Sequence, residues 1–425
     1  MIDKELLKQI IIENRELVTS LDCIERTIVL EENMPYVFVG LRRSGKSYLL
    51  YQRIRELVQK GASWDSILLI NFEDERLINF KVEDFNSLLE AHYQLFNTKP
   101  ILFLDEIQII EGWEKFARRL ADSKYLLYIT GSNAKMLSRE IATTLGGRFL
   151  IHEVFPFSFK EFLRAKHITH EKADVYSTEK KANLVYEFNE FLHFGGLPEI
   201  AAITSKRNYL NNIFQKIYLG DIALRNDISN TNALRYIPNK LAESVRNPIS
   251  FSRLTNLIKS SKVKVGKNTI IQYVEMMKDS FLVFDIKNID SKFSEKITNP
   301  KYYFYDTGLL NLFLLHQDSA LLENLVALYL VQRFEKESVF FFNNTSYEID
   351  FYLPDSDMAV QVCYSMSNDE TQEREIKALI QFSAFRKCKK LYVISFDEER
   401  VIEKDDCTIN VIPLWKILLG YSSLL

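Results

Sequence analysis

One octapeptide, Gly40-Leu-Arg-Arg-Ser-Gly45-Lys46-Ser47, has the residue types and the spacing to hold a nucleoside triphosphate. It fits the pattern G-x-x-x-x-G-K-[ST] at every fixed position. A triphosphate carries several negative charges that must be held away from water. The glycines let successive backbone N–H groups turn inward on the phosphates, and the N-terminus of the following helix adds partial positive charge. Lys46 is the candidate for reaching the β- and γ-phosphates, and the Ser47 hydroxyl is a candidate ligand for Mg2+. The nucleotide-contacting set read from this stretch is Gly40, Arg42, Arg43, Ser44, Gly45, Lys46, Ser47 and Tyr48. Within it, Arg42 and Arg43 either touch phosphate or pair with nearby acids.

Three further clusters could complete the chemistry. Ile101-Leu-Phe-Leu-Asp105-Glu106 is an apolar run ending in two carboxylates. At the tip of a strand neighbouring the loop, Asp105 would share Mg2+ with Ser47, and Glu106 would orient or deprotonate the attacking water. Thr130-Gly131-Ser132-Asn133 ends another apolar run, and Asn133 or Ser132 could reach the γ-phosphate and that water; good turn chemistry accounts for the same residues. Arg148, after Gly146-Gly147, could stabilise charge on the transferring phosphoryl, in its own subunit or across an interface. A surface arginine after a helix-ending glycine pair is the plainer account.

These clusters need a scaffold that brings them together. Short runs apolar on both faces occur at Tyr36–Gly40, Ile67–Phe72, Ile101–Asp105, Tyr125–Gly131 and Phe149–Val154. Amphipathic stretches such as Lys46–Gln59 and Trp113–Asp122 fill the gaps. This alternation predicts an α/β fold with a doubly wound parallel sheet. After Pro156 the texture turns helical, with Phe157–Ala165, Lys180–Phe191 and the stretch from Ser205 to about Ile228, interrupted by Gly195-Gly196-Leu197-Pro198. From Lys301 strands and helices alternate again.

The quoted motifs resemble the AAA+ superfamily of P-loop NTPases. Together with Leu-Asp-Glu-Ile-Gln (104–108), Pro-Phe-Ser-Phe-Lys-Glu-Phe (156–162), Gly-Gly-Leu-Pro (195–198), Tyr-Asp-Thr-Gly-Leu-Leu (305–310) and Leu-Glu-Asn-Leu-Val (322–326), they resemble a group of prokaryotic ATPases. That group joins the AAA+ module to a C-terminal domain of unknown function related to restriction endonucleases. The resemblance implies an ATP- and Mg2+-binding core with Walker A and Walker B motifs, Asn133 as sensor and Arg148 as arginine finger. Lys46, Glu106, Asn133 and Arg148 are then the catalytic set, and Ser47 and Asp105 the metal ligands.

The expected organisation is a helical lead-in (1–34), a P-loop ATPase core (35–155), a helical lid (156–230), a winged-helix domain (231–300) and a restriction-endonuclease-like α/β domain (301–425). Phe251–Ser260 and Asn268–Asp279 read as two helices, followed by the strand Phe281–Lys287 as a wing and the turn Asn288-Ile289-Asp290-Ser291. Residues 251–301 carry ten basic and five acidic side chains, a local +5 in a chain of net −3. Lys262, Lys264 and Lys267 precede the second helix, and Thr269 and Gln272 would face a groove, so DNA is a candidate partner. The related nuclease pattern D…E-x-K would fall on Asp350, Gln361 and Cys363. A neutral amide is a poor ligand for a hard cation and a thiol is no ammonium, so a nuclease-like fold without nuclease activity is expected.

Composition bounds the rest. Aromatic residues make up 13%, which argues against disorder. Cys23, Cys363, Cys388 and Cys407 form no C-x-x-C pair and read as reduced thiols. No run is long enough to span a membrane and the N-terminus lacks a signal peptide's apolar core, so a soluble, cytoplasmic protein is expected. The leading expectation is an ATPase whose nucleotide state repositions its C-terminal domains. A homo-oligomer is the arrangement in which Arg148 would act in trans. The alternative is a nucleotide-gated DNA- or protein-binding module with negligible turnover.

Overall fold

The apolar runs of the first 155 residues form one parallel sheet. Its strands are β1 (Tyr36–Val39), β2 (Ile67–Asn71), β3 (Ile101–Asp105), β4 (Leu127–Gly131) and β5 (Leu150–Glu153), in the spatial order β2-β3-β4-β1-β5. Neighbouring strands run parallel throughout. The computed structural model describes residues 2–133, 136, 143–228, 231–290, 299–314 and 317–424; Ser291, in the turn expected after the wing, lies outside them. Strands β1 and β4 are buried along their whole length, as a parallel sheet covered on both faces requires. The edge strand β5 leaves Leu150 and Ile151 exposed. Phe38, Phe103 and Tyr128 form the centre of the core with Leu50 and Ile54, and the rings of Phe103 and Tyr128 stack at 4.9 Å.

The order corrects one expectation. The acidic strand β3 is not the neighbour of the loop strand β1, because β4 is inserted between them. Leu104 pairs with Ile129 and Val39 with Gly131, so the tip of β4 lies between the two motifs. A helix over Lys4–Ser20, capped by the Asp3 side chain, buries Leu7, Ile10, Ile11 and Val18 and packs on β2 and on the helix Phe85–Phe96.

The chain divides into two compact units, Met1–Phe155 with Asp279–Phe281, and Pro156–Lys278 with Leu282–Leu425. The second unit begins with helices. Ser158 and Glu161 form a capping box at the start of Phe159–Ala165, and the helix Thr178–Phe194 is longer than its sequence pattern suggests. The expected helix from Ser205 is α-helical over Lys206–Gln215 and then π-helical over Lys216–Leu224. The glycine pair that breaks the pattern has a partner. Asp306 is buried and accepts the backbone N–H of Gly196 at 2.8 Å and of Leu309 at 3.0 Å. A Cβ at Gly195 would collide with the Asp306 carboxylate, and one at Gly308 with the Phe194 carbonyl. This packing is a physical reason for the two glycine motifs to occur together.

The two helices of the basic region form, at Phe251–Ser260 and Lys267–Asp279, and Lys262, Lys264 and Lys267 are exposed. The strand after them does not stand apart as a wing. β6 (Val283–Asn288) pairs antiparallel with β7 (Lys301–Phe304) and parallel with β8 (Phe340–Asn343). It thereby enters an eight-stranded sheet with β9 (Glu348–Leu353), β10 (Met358–Val362), β11 (Lys390–Ser395), β12 (Arg400–Lys404) and β13 (Cys407–Pro413). The order is β12-β13-β11-β10-β9-β8-β6-β7. Val283, Phe284 and Ile286 are buried on this strand, which is internal to that sheet. No helix among the described residues is long and apolar enough to cross a membrane.

Candidate nucleotide site

The octapeptide leaves the end of β1 and runs into the helix Lys46–Gln59. Gly45 caps that helix in a left-handed conformation (φ 94°) with no side-chain hydrogen bond to the first turn. The first N–H groups of the helix thus lack the side-chain acceptor that a Ser or Asp cap would supply. Gly40 is needed for packing, since a Cβ there would collide with the Val154 carbonyl oxygen. Ser44 is fully buried, and its hydroxyl has no hydrogen-bond partner among the described residues. A buried donor left without a partner is costly unless a ligand takes it up. Lys46 is buried, and its ammonium donates to the carbonyls of Gly40 (3.1 Å) and Leu41 (3.0 Å). From the lead-in segment, the buried Arg26 braces the loop, donating to the Ser44 carbonyl at 3.0 Å.

Opposite the loop, Asp105 is buried at the end of β3 and hydrogen-bonded to Ser47 and to the Thr130 hydroxyl. Burial, then the charge of Glu106, push its carboxyl up to about 6, against hydrogen bonds from Thr130 and Ser47 and the charge of Lys46. Glu106 turns the chain in the left-handed region (φ 52°), a conformation that costs a non-glycine residue about 1 kcal/mol. Its N–H donates to Thr130 Oγ1 at 2.9 Å. Its carboxylate Oε2 accepts from Gln108 Nε2 (2.5 Å) and Ser132 Oγ (3.1 Å). Burial works to raise its pKa, but Lys46, Gln108, Arg42 and Ser132 outweigh burial and hold it below the usual glutamate value. Two adjacent acids are therefore pushed in opposite directions by their surroundings, a pattern typical of sites that divide acid and base roles.

The remaining expected residues are spread more widely. Arg42 pairs with Glu73 at 3.2 Å. Arg43 is exposed in a left-handed conformation (φ 65°). Tyr48 is exposed and packs on Tyr51, ring to ring at 5.5 Å. Asn133 is buried beyond the tip of β4, but it is Ser132 whose hydroxyl reaches Glu106. Arg148 is tied to Asp122 and to the Gly146 carbonyl. Among the described residues no hydrogen bond or ion pair links Arg148 to Lys46, Asp105 or Glu106. Arg26, Thr130 and Gln108 escaped the sequence reading. The last two stand inside motifs quoted for other residues, and nothing in the local pattern around Arg26 marks it.

The second unit holds a separate charged cluster. Cys363 is buried and donates to the Ser365 carbonyl, and burial pushes its thiol up to about 11. Gln361 accepts from the Asp350 N–H (2.8 Å) and donates to Glu375 (2.7 Å). A lysine does reach this place, from β7. The fully buried Lys301 ammonium lies 3.2 Å from Glu323, 2.7 Å from Glu348 and 3.3 Å from Asp350. The cluster borders a cleft of about 840 Å³ whose lining includes Arg246, Glu348, Asp350, Gln361, Arg374 and Glu375.

Two family models match parts of the chain. Residues 32–163 match the family model of an AAA domain, and residues 185–320 that of a domain of unknown function (DUF8612). Over 440 residues the chain is 37% identical to an uncharacterized protein of Methanocaldococcus jannaschii, covering 99% of this chain and 97% of that one. The chain belongs to that protein's family. A second relative, an uncharacterized protein of Haemophilus influenzae, is 34% identical over 279 residues, covering 64% of this chain and 67% of its own. The family so defined includes an archaeal and a bacterial member. Among solved structures the chain is similar to the Walker-type ATPase of Pyrococcus abyssi, at 14% identity, TM-score 0.41, with 74% of this chain and 96% of that one covered. In this family member the AAA domain has the α/β fold of a P-loop NTPase, with the parallel sheet and the phosphate loop described above.

Proposed function

We propose that the first unit binds ATP with Mg2+ and hydrolyses it. The observation that carries this reading is the convergence of Lys46, Ser47, Asp105 and Glu106 at one end of the sheet, beside a buried Ser44 hydroxyl without a partner. Lys46 exchanges the loop carbonyls for phosphate oxygens. Ser47 and Asp105 are the oxygen ligands for Mg2+, which, when bound, neutralises phosphate charge. Glu106 takes the proton of the attacking water, with Ser132 or Asn133 as the polar sensor. Lys46→Ala is expected to abolish ATP binding measured by calorimetry. Glu106→Gln is expected to keep binding and lower phosphate release at least a hundredfold. Wild-type release by Glu106→Gln would remove the base assignment.

A second reading has its own support. Because Arg148 is engaged by Asp122, an isolated chain brings no finger to the phosphates and would turn over slowly, acting as a nucleotide-gated module. Phosphate release per subunit that rises with protein concentration speaks for Arg148 in trans; a flat, negligible rate speaks for the module. In either reading the nucleotide state repositions the C-terminal regions. The exposed Lys262, Lys264 and Lys267 support DNA as partner, tested by adding DNA to the same assay. We read residues 301–425 as a nuclease-like domain without nuclease activity, because the neutral Gln361 stands where the pattern needs a second carboxylate, even though Lys301 supplies an ammonium.

A further inference from the structure

The turn after Glu106 carries a side chain to which that mechanism gives no part. Gln108 donates its amide N–H to Glu106 Oε2, the same oxygen that Ser132 binds. Its own carbonyl oxygen is buried and has no hydrogen-bond partner among the described residues. A primary amide has two orientations that fill space alike. Turning this one over would set its oxygen against the Glu106 oxygen, acceptor against acceptor. The carboxylate therefore selects the observed orientation, and an unsatisfied buried carbonyl is the cost. The backbone accommodates it twice over. Glu106 adopts its left-handed conformation, which folds residue 108 back toward residue 106, and Gly131 leaves room, since a Cβ there would lie 2.6 Å from the Gln108 oxygen. An orphaned carbonyl and a left-handed glutamate each disfavour the fold. Together they give Glu106 one oxygen held from two sides and a second, Oε1, with no hydrogen bond from any described residue.

We propose that Gln108 is a positioning residue for ATP hydrolysis: with Ser132 it fixes Oε2 of Glu106 so that Oε1 is presented to the attacking water. The inference rests on the reading of Glu106 as the base. Gln108 touches neither nucleotide nor water and acts through Glu106.

The informative variant is Gln108→Met, which keeps the volume, removes the donor and also removes the orphaned carbonyl. Its melting temperature is expected to equal or exceed that of the wild type, and its Kd for ATP to stay within about twofold. Its kcat is expected to fall about ten- to a hundredfold, the size of a lost hydrogen bond to a charged group. On a Glu106→Gln background the same change should cost nothing more, because no base is left to position. Gln108→Leu, close in size and without any donor, should repeat the loss. Either variant turning over at the wild-type rate while binding ATP overturns the proposal, as does an additive loss in the double variant. If Gln108→Met loses ATP binding along with turnover, the residue is structural and the proposal also falls. The underlying reading fails separately: Glu106→Gln with wild-type turnover, or a wild type that binds ATP without hydrolysing it, removes the base and this inference with it.

Discussion

At the scale of single residues, the environment matters more than the residue type. Asp105 and Glu106 are adjacent carboxylates, yet burial raises one while Lys46 and hydrogen bonds lower the other. Asp306 shows the same logic away from the site. Burial pushes its carboxyl up to about 6, opposed by the N–H groups of Gly196, Leu309, Gly308 and Leu197. A carboxyl whose pKa rises on folding holds its proton more tightly in the folded chain. Its contribution to stability is fully present below the ordinary value of 3.8 and is lost as pH climbs through about 6. Asp306→Asn cannot titrate. The difference in urea-unfolding free energy between wild type and variant is therefore expected to change between pH 4 and pH 6 and to be constant above pH 7. A difference that stays constant across that range would mean that folding does not raise the Asp306 pKa.

At the scale of elements, close backbone approaches set the geometry. The phosphate loop rests on the end of β5 through Gly40, and the acidic strand reaches the loop only across the tip of β4. Gly40→Ala is expected to destabilise the first unit by about 1–3 kcal/mol, the usual size of an overpacked contact, and to weaken ATP binding in the same preparation. Unchanged calorimetric binding would show that the loop can shift without losing its grip. The strands and the helix after the loop were readable from apolar runs and a 3.6-residue period, since burial on two faces or one leaves those patterns. The insertion of β4 between β1 and β3 was not, because it depends on the pairing of β1 with β4, segments about ninety residues apart. The expected wing strand was readable as a strand. Its place inside a larger sheet was invisible, since its partner β8 lies more than fifty residues downstream.

At the scale of the whole molecule, the second unit shows how a charge constellation can be rebuilt from distant parts. A lysine was sought two residues after Gln361, where Cys363 stands; the ammonium comes instead from Lys301, nearly fifty residues before Asp350. Buried among Glu323, Glu348 and Asp350, it is a costly group to remove alone. Lys301→Met is expected to lower the unfolding free energy of the second unit by about 3–5 kcal/mol, as for a broken buried ion pair. The check is the urea midpoint beside an Mg2+-dependent DNA cleavage assay, in which neither wild type nor variant is expected to cut. Cleavage by the wild type that Asp350→Ala abolishes would overturn the reading of an inactive domain.

What the sequence alone determined is local: the phosphate loop, the acidic strand end, the alternation of strands and helices, and the glycine breaks. Each depends on residues within one turn or one strand of each other, where spacing fixes geometry. The tertiary structure alone decided which side chains meet across segments, such as Ser132 and Gln108 on Glu106, Arg26 under the loop, Asp122 on Arg148, and Lys301 among its carboxylates. Such meetings follow from strand order, register and left-handed turns, which the packing of the whole chain selects and no local pattern encodes.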